Sequence, residues 1–160
     1  MKVYTVVQLA YLAGIIDGEG SIYIGNFSCS KKTGAKYYQT AIEVTNTEKL
    51  LIDWLLENFG GRSYAYTKKQ LPKNSNKEVY RWIVTGELLT QLCHLLLPYS
   101  IIKKKEFEIM IKMRKTFELT SLQKRHDGKN LNLSQEILDE RQRYHEEMQS
   151  LHCRNYKNKL

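Results

Sequence analysis

The chain has 160 residues, of which 25 are lysine or arginine and 17 are acidic, so its formal net charge is +8. This excess favours an anionic partner, although charge alone does not distinguish DNA from RNA or a membrane surface. The longest apolar run, over 95–102, is too short to span a bilayer and contains Pro98, so we expect no membrane-spanning segment. We expect a single domain over residues 1–160, with a core over about 5–117 and a helical tail over about 118–160.

The three cysteines, Cys29, Cys93 and Cys153, are odd in number and far apart. They form no C-x-x-C pair, so we expect neither a disulfide framework nor an oxidising compartment. Two of them stand beside a histidine, but adjacent side chains point in different directions and no second pair follows at zinc-ligand spacing. No secretory signal is evident. We therefore expect an intracellular protein, in a prokaryotic cytoplasm or nucleoid or in the matrix or stroma of an organelle that encodes it.

Residues 5–18 are predicted to form the first helix. Thr5 and Gln8 have the spacing of a capping box, and apolar residues recur at helical spacing up to Gly18. Gly14 lies inside this helix, where a glycine costs about 1 kcal/mol relative to alanine. A glycine at that position favours close packing against another backbone.

The remaining elements alternate between pairs of strands and helices. Periodicity and turn signals predict strands over 21–30, 37–46, 62–70 and 78–85, and helices over 48–59, 87–97, 101–117 and 134–152. Thr47 is the predicted cap of the second helix. The order α-β-β-α-β-β-α-α-α predicts an α+β fold, in which a four-stranded antiparallel sheet carries its helices on one side.

A sheet with helices on one side leaves its other face open. Polar, aromatic and basic side chains on that face suit a groove of DNA, and an ordinary solvated face is an equally good interpretation. Alternation along the strands places on this face Ser21, Tyr23, Tyr37, Gln39, Glu43 and Arg81.

Other residues are weaker candidates for contact with a nucleic acid. A β-bulge at Gly25 is expected to shift the alternation of the first strand. The shift would expose Asn26, Ser28 and Ser30. On the third strand, whose facing is ambiguous, the candidates are Tyr64, Tyr66, Lys68 and Gln70. The loop lysines best placed for phosphates are Lys32, Lys73 and Lys77.

Residues 12–20 have the sequence LAGIIDGEG and determine the interpretation. The small residues Ala13 and Gly14 allow a second helix to approach closely. Glu19 is expected just past the end of the first helix, so two such helices side by side would bring two carboxylates together. Paired carboxylates beside scissile phosphates bind divalent metal for phosphodiester hydrolysis, and the helix dipole and the Gly18 carbonyl also favour a cation. The alternative is an ordinary core helix with an acidic turn.

These nine residues resemble the signature of the LAGLIDADG homing endonucleases, with glutamate in place of the last aspartate, and the predicted element order agrees with the family repeat. The resemblance implies a site-specific endonuclease that cuts double-stranded DNA with Mg²⁺ or Mn²⁺ at Gly18 and Glu19. It also implies catalytic roles for Glu19, for Asn46 at the end of the second strand, and for Lys103, a lysine suited to stabilising phosphate charge. Lys105, its neighbour, is expected to contact DNA.

The motif occurs once in the chain, whereas cutting two strands in this way needs two carboxylates, so two chains are implied. We expect an intron-encoded homodimer that recognises a pseudo-palindromic site. The predicted dimer contact consists of Leu9, Leu12, Ala13, Gly14, Ile16 and Asp17. Two alternatives stay open: an RNA-binding intron-splicing protein on the same scaffold, and a DNA-binding protein without catalysis.

Overall fold

The computed structural model describes four stretches of the chain. They are residues 3–28, 36–66, 77–127 and 133–153. The chain packs as two compact units. Unit 1 comprises Met1–Ile22 and Ala41–Lys104, and unit 2 comprises Tyr23–Thr40 and Lys105–Leu160. Neither unit is a contiguous segment, because each draws on two separate parts of the chain.

Helices and strands follow one another in the predicted order along the described residues. The helices are α1 (Val6–Glu19), α2 (Lys49–Phe59), α3 (Gly86–Leu96), α4 (Lys104–Asp127) and α5 (Gln135–Cys153). The strands are β1 (Gly20–Ser28), β2 (Lys36–Asn46), β3 (Arg62–Ala65) and β4 (Tyr80–Val84). They form a sheet in the order β1-β2-β4-β3, in which β4 is antiparallel to both β2 and β3. The predicted α+β fold is confirmed. No described helix has the length and apolar composition needed to cross a membrane.

The first helix begins at the predicted capping box and ends one residue later than predicted. The Thr5 hydroxyl accepts a hydrogen bond from the Gln8 N–H (3.2 Å), and the Gln8 side chain accepts one from the Thr5 N–H (2.9 Å). Glu19 is therefore the last helical residue rather than the first residue after the helix. Gly20 then turns the chain directly into β1, and a Cβ there would lie 2.6 Å from the Ile16 Cα, so only glycine fits this turn.

Hydrogen bonds to a side chain determine where α2 and α4 begin, and each begins later than predicted. Glu48, rather than Thr47, caps α2, since its carboxylate accepts from the Leu50 N–H (3.2 Å). Helix α4 begins at Lys104, because the backbone of the preceding three residues bonds to a side chain of α1.

The core of unit 1 is formed by one face of each of its helices and one face of the sheet. Its buried side chains include Leu12 on α1, Leu55 on α2, Leu92 on α3 and Trp82 on β4. The Trp82 indole N–H donates to the Gly60 carbonyl oxygen (2.7 Å), which satisfies the polar atom of a fully buried ring. The tight turn after α2 is thereby anchored to the sheet.

That turn requires glycine for two reasons. Gly60 and Gly61 both adopt positive φ angles, of 75° and 90°. A Cβ on Gly61 would also lie 2.7 Å from the Ile83 carbonyl oxygen.

Gly61→Ala is expected to destabilise the protein by about 1–3 kcal/mol from backbone strain, with the clash against Ile83 adding to that loss. Urea unfolding followed by circular dichroism measures the change. Gly86→Ala is the matched control, because Gly86 also has a positive φ (67°) but a Cβ there meets nothing within 4 Å. Equal losses in the two variants would contradict the contribution of the clash.

Unit 2 is held together by a buried arginine between α4 and α5. The guanidinium of Arg141, which is only 4% exposed, donates to the Thr116 hydroxyl (2.9 Å), the Thr116 carbonyl oxygen (3.0 Å) and the Thr120 hydroxyl (3.1 Å). It also lies over the Phe117 ring, 4.0 Å from the ring centroid. Burial lowers the pKa of this arginine from its ordinary value. These contacts fix α5 on α4.

Helix α5 also bonds to the strand segments of unit 2. The Gln142 side-chain oxygen accepts from the Asn26 amide (3.0 Å) and from the Tyr38 hydroxyl (2.8 Å). The Nδ1 of His145 donates to the Ile24 carbonyl oxygen (2.7 Å). The C-terminal helix is therefore a structural part of this unit and sets the position of the two strand segments.

Candidate active site

The C-terminal end of α1 and the end of β2 bring two predicted catalytic residues into contact. Glu19 is exposed, and its carboxylate accepts a hydrogen bond from the Asn46 amide. The Asn46 side-chain oxygen accepts in turn from the Glu48 N–H (2.8 Å). The amide is therefore held at both ends, with its N–H₂ directed at the carboxylate. Residues 27 positions apart in the sequence thus form one polar centre.

The third predicted catalytic residue, Lys103, lies against the last turn of α1. Its Nζ donates to the Asp17 carbonyl oxygen (2.9 Å), and its backbone N–H donates to the Asp17 carboxylate (3.1 Å). The ammonium group is therefore placed beside the helix turn that ends in Glu19. All three predicted catalytic residues belong to unit 1.

Asp17 has a role that the sequence did not reveal. Its carboxylate accepts from the Ser100 hydroxyl (2.6 Å) and from the backbone N–H groups of Ile101 (2.7 Å), Ile102 (3.1 Å) and Lys103 (3.1 Å). Partial burial raises its pKa, but these four hydrogen bonds outweigh burial and lower the pKa below its ordinary value. The Asp17 carboxylate is therefore engaged within its own chain, and its place at a dimer contact stays a prediction.

The oxygen atoms at the end of α1 are of the type that a hard divalent cation prefers as ligands. Glu19 offers a carboxylate, and Gly18 lies in the last turn, where helix carbonyls lack partners within the helix. In the part of the chain that the structure describes, no group of three or more histidine, cysteine or acidic side chains is placed to hold a metal. Among the described residues one chain therefore supplies fewer than three such side chains to a site there, and the donor set fits a cation only when a second set joins it.

The exposed face of α1 is a shallow concave surface of about 490 Å³. It is lined by Ala10, Tyr11, Gly14, Ile15, Gly18, Glu19 and Leu51. A Cβ at Gly14 would meet nothing within 4 Å in this chain. The helix thus exposes a small-residue groove that ends at the candidate catalytic carboxylate, and we call this surface the α1 groove.

Four of the residues predicted at the dimer contact are not in the α1 groove. Leu9, Leu12, Ala13 and Ile16 are all buried and form part of the core of unit 1, so this prediction was wrong for them. The helix is apolar on several sides, and its larger side chains pack inside the chain. The sequence signal for the exposed face was the recurrence of small residues every four positions, at 10, 14 and 18.

In unit 1 the sheet face opposite the helices carries an ion pair. Glu43 on β2 and Arg81 on β4 bond to each other there. Tyr64 on β3 is paired with Arg81 in the sheet register, so it lies on the same face and is 48% exposed. The facing of β3, which was ambiguous in the sequence, is thereby established. Ser21 on β1 is also exposed, while Tyr66 is half-buried.

In unit 2 the described side chains of β1 keep their alternation past Gly25. Asn26 is turned towards Gln142 of α5, whereas Phe27 is 42% exposed and stacks on Tyr37 at 5.4 Å between ring centroids. The predicted shift at Gly25, and with it the exposure of Asn26, was therefore wrong. Phe27 was missed, although simple alternation from Ile24 would have placed it outside.

The other predicted DNA contacts divide into described and undescribed residues. Gln39, Lys77 and Lys105 are exposed, and Tyr23 is half-buried. The predictions that lie outside the described residues are Ser30, Lys32, Lys68, Gln70, Lys73 and the side chain of Ser28.

Comparisons with solved structures show the same fold in DNA-cutting enzymes. The chain superposes on the homing endonuclease I-CvuI in complex with its target in the presence of calcium (TM-score 0.69, 17% identity, 91% of this chain and 82% of that chain). It also superposes on the archaeal intron-encoded homing endonuclease I-Vdi141I complexed with DNA (TM-score 0.71, 16% identity, 91% and 84%). A third match, the I-SmaMI endonuclease bound to cleaved DNA, has a TM-score of 0.64 and 16% identity over 91% of this chain and 45% of that one.

A family comparison gives the more specific result. No curated protein matches the sequence. The family model for the LAGLIDADG endonucleases matches residues 12–116. This span includes Glu19, Asn46 and Lys103, and the part of the α1 groove that follows residue 12. Because this match covers well over half of the chain and agrees with the observed fold, the protein belongs to the LAGLIDADG endonuclease family.

Proposed function

We propose that this endodeoxyribonuclease cuts one long, pseudo-palindromic site in double-stranded DNA as a homodimer that uses Mg²⁺ or Mn²⁺. The observation that carries the proposal is the contact between Glu19 and Asn46 at the end of the α1 groove. It joins a candidate metal-binding carboxylate to a surface of small residues that a second helix can approach closely. The I-CvuI, I-Vdi141I and I-SmaMI structures, all complexes with DNA, support the choice of substrate.

Each residue of the candidate site has a separate task in this proposal. Glu19 and the Gly18 carbonyl would hold the cation, and Asn46, which bonds to the Glu19 carboxylate, would orient it and hold the attacking water. Lys103 supplies positive charge to the phosphate, where charge develops in the transition state. When bound, a divalent cation supplies Lewis acidity and a water of lowered pKa.

A dimer completes the site in this proposal. Magnesium prefers an octahedral shell of oxygen ligands, and one chain offers one carboxylate at the end of α1. If two α1 grooves pack against each other about a two-fold axis, the two Glu19 carboxylates approach each other. Gly14 lies in the groove and leaves room for the partner's backbone.

DNA binding is assigned to the exposed strand residues and to basic side chains. The candidates that the structure places on exposed or half-buried surface are Ser21, Tyr23, Phe27, Tyr37, Gln39, Glu43, Tyr64, Tyr66, Lys77, Arg81 and Lys105. Two chains carry a formal charge of 2 × 8 = +16. Binding should therefore weaken steeply with salt, because each neutralised phosphate releases counterions.

A randomised duplex library tests the proposal directly. The protein is incubated with the library and Mg²⁺, and the cleaved ends are sequenced. We expect one long site with two-fold symmetry, cleavage that EDTA abolishes, and a dimer in analytical ultracentrifugation. The absence of any cleaved duplex in Mg²⁺ and in Mn²⁺ would contradict the nuclease function, and an asymmetric site would contradict the dimer.

Asn46→Ala is expected to lower single-turnover cleavage by about 10²-fold, because a positioned polar group that handles the reacting water contributes on that scale. Binding to the selected duplex in Ca²⁺ should be retained. Asn58→Ala is the control, since Asn58 also bonds through its side-chain amide, to Gln8 and to the Trp54 carbonyl oxygen, outside the site. Equal cleavage rates in Asn46→Ala and the wild type would remove Asn46 from the mechanism.

An RNA-binding role in intron splicing finds no support among the relatives described above. Competition between the selected duplex and a structured RNA of the same length, measured by gel shift, separates the two functions. We propose that the enzyme acts where its DNA target lies, in a prokaryotic cell or a DNA-containing organelle.

A further inference from the structure

Residues 97–103 connect α3 to α4 without regular secondary structure, and hydrogen bonds hold this segment at both ends. At its start, the Tyr99 and Ser100 N–H groups donate to the Leu96 carbonyl oxygen (2.9 and 3.0 Å). At its end, the backbone N–H groups of Ile101, Ile102 and Lys103 all donate to the Asp17 carboxylate. We call residues 100–103 the tethered segment.

We propose that Asp17 is a positioning residue that places Lys103 for catalysis through the tethered segment. The inference rests on the proposed function, because it assigns Lys103 to the phosphate. Lys103 is held at two points: its backbone N–H donates to the Asp17 carboxylate (3.1 Å), and its Nζ donates to the Asp17 carbonyl oxygen (2.9 Å). A residue bound at both its main chain and its side-chain tip has few rotamers left to choose from.

The two acidic residues of the segment 12–20, Asp17 and Glu19, have different roles. Both Asp17 carboxylate oxygens already accept hydrogen bonds from the tethered segment, two on each oxygen. A carboxylate in that state is committed to four donors and is poorly suited to a metal. Glu19, two residues later, is exposed and contacts the Asn46 amide. The first acid therefore organises the lysine, and the second is left for the cation.

The alternative is that Asp17 only stabilises the fold. Asp17→Asn distinguishes the two, because the amide keeps the shape of the side chain but replaces one acceptor oxygen by a donor that faces N–H groups. A purely structural role predicts lower stability and an effect on cleavage that is independent of Lys103. A positioning role predicts that the effect on cleavage disappears once the Lys103 ammonium group is gone.

The test is a double-mutant cycle on the duplex that the wild-type protein selects, with single-turnover cleavage in Mg²⁺ as the readout. We expect Lys103→Met to lose about 10²-fold and Asp17→Asn about tenfold, and the double variant to lose no more than Lys103→Met alone. Binding in Ca²⁺ should be unchanged in all three. Asp139→Asn, an exposed aspartate that bonds to Gln135 on α5, is the matched control and should cleave like the wild type.

A second readout does not depend on activity. Amide hydrogen exchange at Ile101, Ile102 and Lys103 should be faster in Asp17→Asn than in the wild type, because the acceptor of their N–H groups is impaired. If Asp17→Asn fails to fold, Ser100→Ala removes one of the four donors and should show a smaller loss that also vanishes in the Lys103→Met background.

The possible results separate this inference from the proposed function. If the losses of Asp17→Asn and Lys103→Met multiply, Asp17 acts independently of the lysine and the inference is overturned. Unchanged exchange at 101–103 would overturn it as well. If the wild-type protein cuts no duplex at all, the proposed nuclease function fails, and the exchange measurement still decides whether Asp17 holds the tethered segment.

Discussion

Glu19→Gln is expected to bind its target duplex as tightly as the wild type, or more tightly, and to lose cleavage by about 10³-fold or more. The amide has the shape of the carboxylate, and its oxygen can still accept from Asn46, so the local geometry is kept. The negative charge that holds the cation is removed, and with it several kcal/mol of transition-state stabilisation, at 1.36 kcal/mol for each factor of about ten. Binding improves or stays constant because a charge that repels phosphate is gone.

Single-turnover cleavage and gel-shift titration measure the two effects separately. Glu108→Gln is the matched control, since Glu108 is an exposed glutamate on α4, in the other unit. A metal-dependent cleavage rate in Glu19→Gln equal to that of the wild type would contradict the proposed mechanism. Loss of binding as well as cleavage would show that the carboxylate has a structural role instead.

Gly14→Leu is expected to weaken the dimer and lower cleavage together while the chain stays folded. A Cβ at this position meets nothing within 4 Å in its own chain and Gly14 is exposed, so a larger side chain here can point away from the core of unit 1. Replacing a helical glycine by leucine also favours the helix, by up to about 1 kcal/mol. In the proposed two-fold dimer each chain places one such leucine against the partner helix. Each overpacked contact costs about 1–3 kcal/mol of binding free energy, so the two together raise the dissociation constant by about 30-fold to 10⁴-fold.

Sedimentation velocity measures the assembly, and circular dichroism measures the helix content of the variant. Gln91→Leu is the control, because it adds the same side chain to an exposed position of α3. A Gly14→Leu protein that remains dimeric and active would place the dimer contact elsewhere. A Gly14→Leu protein that unfolds would show instead that Gly14 is needed within the chain.

The sequence predicted the order of elements and the composition of the site, because both follow from local patterns. The capping box at Thr5, the alternation along β2 and the acid at Glu19 are all visible within a few residues. Asn46 and Lys103 were identified by resemblance, and the structure places the first on Glu19 and the second against the turn that ends in Glu19.

What the sequence did not predict depends on contacts between distant residues. The inward face of α1 could not be chosen from a helix that is apolar on several sides, and the larger residues Leu12 and Ile16 turned out to be in the core. The partners of Asp17 lie 83 to 86 positions away, where no local pattern reaches. The direction of Asn26 depends on Gln142 of the C-terminal helix, 116 positions later.

The contacts of Gln142 and His145 have a practical consequence for engineering. Helix α5 carries none of the proposed catalytic residues, so it is an obvious candidate for deletion when a shorter enzyme is wanted. That deletion would remove the acceptor shared by Asn26 and Tyr38 and the donor on the Ile24 carbonyl oxygen. The strand segments that carry Phe27 and Tyr37 would lose the hydrogen bonds that fix their position. We therefore expect an enzyme without α5 to lose sequence specificity before it loses cleavage activity.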